Sequence, residues 1–131
     1  MQNRNINSTP KYVAYVVGVV LLALGIATFI HPQIMGRYGL NANTTHSIMT
    51  IRALIGGAEI GMGLLMLLGS KVGVSFRARL WFGMFLFCGI VAARLISILT
   101  ANTAIPEMIV RELIAELVII GILFTGLRNP A

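Results

Sequence analysis

The stretch IMTIRALIGGAEIGMGLLMLL, residues 48–68, decides the fold. About twenty apolar residues, rising 1.5 Å each in a helix, cross the hydrocarbon core of a bilayer. This stretch is long enough, and apolar apart from Arg52 and Glu59. Those two fall in a pattern. Arg52, Gly56, Glu59 and Gly63 step by four, three and four, which places them on one helical stripe. Charges and glycines on one face, with aliphatic residues on the others, describe a membrane helix whose polar face meets another helix.

Three further runs have the same character: Tyr12 to Ile30, Leu80 to Leu99 and Ile105 to Leu127. The expected fold class is therefore all-α, an integral membrane four-helix bundle forming one domain over residues 1–131, with spans at about 12–30, 48–68, 80–99 and 105–127. The punctuation agrees. His31-Pro32 stops the first run, and Asn41 to Thr45 offers caps for the second. Gly69 to Gly73 is a tight turn. Asn102 or Thr103 can cap the fourth run, with Pro106 in its first turn, and Gly126 and Asn129-Pro130 close the chain.

Composition excludes most other classes. Of 131 residues 57% are hydrophobic and 11% charged, with a mean hydropathy of +0.89; a soluble domain carries about 25% charged residues. Ten Lys and Arg face four acidic residues. The basic excess sits mostly between apolar runs and without interleaved aromatics, so it marks membrane orientation rather than nucleic-acid binding. Arg4, Lys11, Lys71, Arg77, Arg79 and Arg128 fall on one side of a four-span chain, against Arg37 alone on the other. Both termini are then expected in the cytoplasm. The single cysteine, Cys88, lies in an apolar run and reads as packing.

After the loop charges are removed, an ionisable set remains inside the runs: Arg52 and Glu59 in the second, Arg94 in the third, and Arg111, Glu112 and Glu116 in the fourth. Each costs roughly 2.5–3.5 kcal/mol at the bilayer centre when unpaired. The helical rise puts Arg52, Arg94, Arg111 and Glu112 about 6–10 Å below the outer boundary, and Glu59 and Glu116 about 16 Å down. Six groups with zero summed charge are thus expected to face inward and line a pocket open to the outer face. Arg52 and Arg94 would grip an anion bidentately, while Glu59 and Glu116 balance charge or carry a proton. Glu107 sits in a first helical turn, where a carboxylate suits the helix dipole.

Gly83, Phe87, Ile90, Arg94 and Ser97 form the expected stripe of the third span. Ala14, Gly18 and Gly25 form a small-residue ridge on the first, and Gly57 and Gly61 a second small pair on span two. Such glycine-rich faces are also where a homo-oligomer would form. Met49, Arg52, Leu54 and Ile55 recur in spacing as Met108, Arg111, Leu113 and Ile114, a pattern that two repeated hairpins would give. His31, His46 and Glu107 lack metal-ligand spacing. No phosphate loop, nucleophile elbow or Ser-His-Asp set is present, so no catalytic residue and no cofactor is assigned.

The Arg52-Ala53-x-x-Gly56-Gly57-x-x-x-Gly61-x-Gly63-Leu64 pattern, Arg94-Leu95-Ile96-Ser97, Pro106 and Glu116 resemble a group of small bacterial four-span membrane proteins known only as a domain of unknown function. That group is loosely similar to the DoxX-like four-helix proteins. The resemblance covers nearly the whole chain. It implies a bundle in the bacterial inner membrane with Arg52, Arg94 and Glu116 as polar positions, and no known reaction. The group often carries Asp-Gly shortly before the proline, where this chain has Asn102-Thr103-Ala104-Ile105. Three functions are weighed: binding of a small or lipid-like ligand, proton-coupled transport by an oligomer, and a membrane enzyme or accessory subunit of a redox complex. Small four-span multidrug transporters use a glutamate in span one, and this chain has none there.

Overall fold

A computed structural model describes residues 8–100 and 105–128. Arg4, the expected cap at Asn102 or Thr103, and Asn129-Pro130 lie outside the described residues. The described chain is all-α. Helix α1 spans Thr9–Ile30, α2 Thr45–Ile51, α3 Ala58–Leu68, α4 Phe76–Thr100 and α5 Glu107–Arg128, with 3₁₀ turns at Pro32–Tyr38 and Gly69–Val72. Three helical stretches are long and apolar enough to cross a membrane: Thr9–Ile30, Thr45–Val72 and Phe76–Thr100. At 22 residues α5 equals α1 in length, but carries more charge.

Local chemistry explains the helix ends. Pro32 opens the 3₁₀ turn after α1, and Gly39 closes it in the left-handed region at φ 75°. Thr44 caps α2 with a reciprocal pair. Its hydroxyl accepts from the Ser47 backbone N–H at 3.1 Å, while the Ser47 hydroxyl accepts from the Thr44 N–H at 3.1 Å. Gly73, at φ 82°, ends the second 3₁₀ turn, and the Ser75 hydroxyl accepts from the Ala78 N–H at the start of α4.

The second span has a feature that hydropathy does not reveal. Between α2 and α3 the chain runs as a π-helical segment, Arg52–Gly57. Such segments are rare and recur at functional sites. Gly56-Gly57 ends it, where two glycines weaken the ordinary helical ladder.

The chain forms two compact units: Tyr15–Val72, and the described part of Met1–Ala14 with Gly73–Ala131. In the first, α1 and α3 lie antiparallel along a glycine ladder. A Cβ placed on Gly25 would stand 2.6 Å from the Ile60 backbone nitrogen, and one on Gly63 would stand 2.7 Å from that of Leu22. Gly18 faces Met66 and Leu67, and Gly56 faces Phe29 and the Gly25 carbonyl. Gly18 and Gly25 thus match Gly63 and Gly56 at the same spacing in reverse. Absent side chains let the backbones touch, which is how helices associate in lipid. Gly57 and Gly61, expected as a second packing pair, are exposed. Gly61 has open space where a Cβ would go, and Gly57 meets only its own helix. The buried apolar residues here include Val17, Leu21, Ile51, Met62 and Met66.

In the second unit, α4 packs on α5 antiparallel. Gly126 lies against Leu80 and Val13, where a Cβ would meet Leu80 Cδ1 at 2.8 Å. The buried stripe of α4 is Leu80, Met84, Phe87 and Val91, and Arg94 continues it as a half-buried residue. Ile90 and Ser97, expected on that stripe, are exposed; the Ser97 hydroxyl donates to the Ala93 carbonyl at 2.8 Å. Arg77 and Arg79, counted as loop charges, lie in the first turn of α4. Arg77 is exposed, but Arg79 is fully buried, with its guanidinium 3.9 Å from the centre of the Phe76 ring.

Candidate functional site

The charged residues of the spans fall into separate arrangements. On α4, Arg94 reaches two carboxylates one helical turn apart on α5. Its Nε and Nη2 donate to the two oxygens of Glu116 at 3.0 and 2.7 Å. Its Nη1 lies 2.8 Å from Glu112 Oε2. One planar guanidinium therefore holds Glu116 as a fork and Glu112 through a single oxygen, a geometry that a lysine ammonium does not reproduce. The side chains of Arg94 and Glu112 are 24% exposed and that of Glu116 is 12% exposed. Like carboxylates at i,i+4 repel, and the guanidinium between them offsets this. Arg94 with Glu112 and Glu116 carries a formal charge of −1.

Arg111, one residue before Glu112, instead pairs along its own helix. Its Nη2 donates to Glu107 Oε1 at 2.7 Å, and both side chains are largely exposed. Such exposed i,i+4 pairs contribute little. Glu107 is the first residue of α5, where a carboxylate suits the dipole.

In the Tyr15–Val72 unit, Arg52 and Glu59 both engage α1. The Arg52 Nε–H donates to the Phe29 carbonyl at 2.8 Å, and its guanidinium lies 5.7 Å from the centre of the Phe29 ring. The reason is local. Pro32 ends α1, so Phe29 has one of the last four carbonyls, which lack an intrahelical donor. Arg52 supplies that donor, as basic residues do near helix C-termini. Glu59, half-buried, accepts a longer hydrogen bond from the Thr28 hydroxyl at 3.4 Å, and Thr28 is buried.

Arg94, Glu112 and Glu116 are thus brought together, and Arg111 is turned to Glu107. Arg52 and Glu59 are held by groups on α1, a helix with no acidic residue. Charge counting overlooks such partners, since one is a backbone carbonyl and the other a hydroxyl. The proline after Phe29 was the available signal for the first. Among the described residues no group of three His, Cys, Asp or Glu side chains could hold a metal ion.

The family model "Domain of unknown function (DUF4345)" matches residues 11–127, so the chain belongs to that family. No curated protein and no solved structure matches it.

Proposed function

We propose that this member of the family is a four-span protein of the bacterial inner membrane, with both termini cytoplasmic, that binds a small anionic or lipid-like ligand at its intramembrane Arg/Glu set. The observation that carries this reading is the grip of Arg94 on Glu112 and Glu116. Because those carboxylates are paired across helices, α5 avoids the roughly 2.5–3.5 kcal/mol that each would cost alone at the bilayer centre. A charged 22-residue helix then becomes a tenable fourth span. Loop charges support the orientation: Lys11, Lys71, Arg77 and Arg128 are exposed at the cytoplasmic ends of a four-span chain.

In the unit that holds α4 and α5 the proposed ligand-binding residues are Arg94, Arg111, Glu112 and Glu116, and in the Tyr15–Val72 unit they are Arg52 and Glu59. Arg94 is the recognition group. Glu116 holds it through two nitrogens and Glu112 through one oxygen, so Glu112 is the arm that a competing carboxylate or phosphate displaces. Binding of dodecyl phosphate to the purified full chain, followed by thermal shift, tests this. Wild type is stabilised and R94K less so; equal stabilisation of both contradicts the reading.

The formal −1 of the Arg94 group favours a second reading, proton-coupled transport by an oligomer, since a bound proton balances that charge. Proton flux in liposomes separates the two. Flux that disappears in E116Q supports transport, and a flat pH trace for wild type opposes it.

A further inference from the structure

The guanidinium of Arg52 has terminal nitrogens that the fold does not use. Its Nε–H is committed to the Phe29 carbonyl, and its plane is set beside the Phe29 ring. Among the described residues neither Nη group has a hydrogen-bond acceptor or a carboxylate in salt-bridge range. An arginine oriented through Nε presents its two terminal amino groups as a fixed fork, the donor pattern that fits two oxygens of a phosphate.

Depth says where that fork lies. At 1.5 Å per residue α1 measures about 33 Å, close to the roughly 30 Å of hydrocarbon. Phe29 is the penultimate residue of α1, so its carbonyl stands at the membrane boundary. The Cα of Arg52 is seven residues into the second span, but its head group is drawn up to that level, as long basic side chains snorkel. The surroundings are electropositive. The connecting segment at this end adds Arg37, and the only acidic residue of the Tyr15–Val72 unit, Glu59, is seven residues further along the span. Phe29, beside the guanidinium, and Ile30, Met49 and Leu54 elsewhere on α1 and the second span are exposed apolar residues.

We infer that Arg52 is a phosphate-binding residue that holds the head group of a membrane phospholipid at the end of α1, with Phe29 fixing the guanidinium in place. This rests on the membrane-spanning reading and names the ligand chemistry at one residue of the proposed set. It does not need Arg94 to release its carboxylates.

The test is lipid retention by the full chain in mild detergent, read by native mass spectrometry with phosphatidylglycerol, with diacylglycerol, or with inorganic phosphate. The expected result is retention of phosphatidylglycerol but not diacylglycerol by wild type, a loss of at least tenfold in R52Q, and no change in R77Q, at an exposed arginine with no place in the proposed set. Equal retention by wild type and R52Q, or retention of diacylglycerol as strong as that of phosphatidylglycerol, overturns the inference. Loss in R94K but not in R52Q also overturns it, while leaving the Arg94 reading standing. Inorganic phosphate that displaces the lipid at equal phosphorus concentration overturns the lipid assignment. R52Q also loses the Phe29 contact, so a second measurement uses the unmodified protein. In phosphatidylglycerol bilayers, solid-state NMR should show a dipolar contact between ³¹P and the ¹⁵N guanidinium of Arg52, one that disappears in R52K; no contact contradicts the inference.

Discussion

Replacing Gly25 with alanine adds a single methyl group where α1 crosses α3. That methyl would stand 2.6 Å from the Ile60 nitrogen, 2.8 Å from the Gly56 oxygen and 2.8 Å from Ile60 Cγ1, against an ordinary contact distance of 3.4–4 Å. Two of the three neighbours are backbone atoms, so no rotamer change relieves the overlap and the helices must separate by more than half an ångström. Overpacking of this kind costs about 1–3 kcal/mol. Separation also loosens the neighbouring rungs at Gly18, Gly56 and Gly63. A better helix propensity returns at most roughly 0.5–1 kcal/mol of this. The control is Gly61→Ala on the same helix pair, where the methyl enters open space, so only the propensity gain applies. Unfolding of the purified chain by SDS in mixed micelles, followed by circular dichroism, should place Gly25→Ala below wild type and Gly61→Ala at or slightly above it. Equal stability of the two variants would refute the glycine-ladder account of this unit.

Two further outcomes follow from named contacts. Arg94→Leu leaves Glu112 and Glu116 facing each other without a cation, and removing one partner of a buried ion pair costs about 3–5 kcal/mol. The same SDS titration should show that loss, and Glu116→Gln in the Arg94→Leu background should recover part of it. Thr44→Ala removes the acceptor for the Ser47 N–H and should cost about 0.5–2 kcal/mol, seen as faster amide exchange confined to the first turn of α2.

The helices were legible because apolar runs of bilayer length favour uninterrupted helix, and each observed helix begins or ends within a few residues of its run; three of the four runs lie in stretches long and apolar enough to cross a membrane. Depth arithmetic sets Arg94 level with Glu112 but places Glu116 in a deeper layer with Glu59; the Arg94 fork onto Glu116 escapes it, because helical rise does not count the reach of a long side chain. Arg52 and Glu59 resisted the same arithmetic because their partners on α1 carry no charge. Periodicity told Gly56 and Gly63 apart from Gly57 and Gly61 only by their place beside the charges. It could not show that the former pair meets α1 while the latter stays open. The π segment was illegible, since one inserted residue per turn leaves the hydropathy of the run unchanged. Arg79 was read as a loop charge because counting basic residues at a boundary treats each as solvated. Its burial beside Phe76 depends on packing that no count contains.

The claim on which the membrane account turns is that α5 crosses the bilayer, its carboxylates carried by Arg94. The most direct measurement compares reporter fusions in cells, with alkaline phosphatase and green fluorescent protein each joined after Ala131 and within the connection between α4 and α5. With four crossings, the fluorescent protein is bright and the phosphatase silent at the C-terminus, and the reverse holds in the connection. An active phosphatase at the C-terminus would contradict the account, leaving three crossings and α5 outside the membrane.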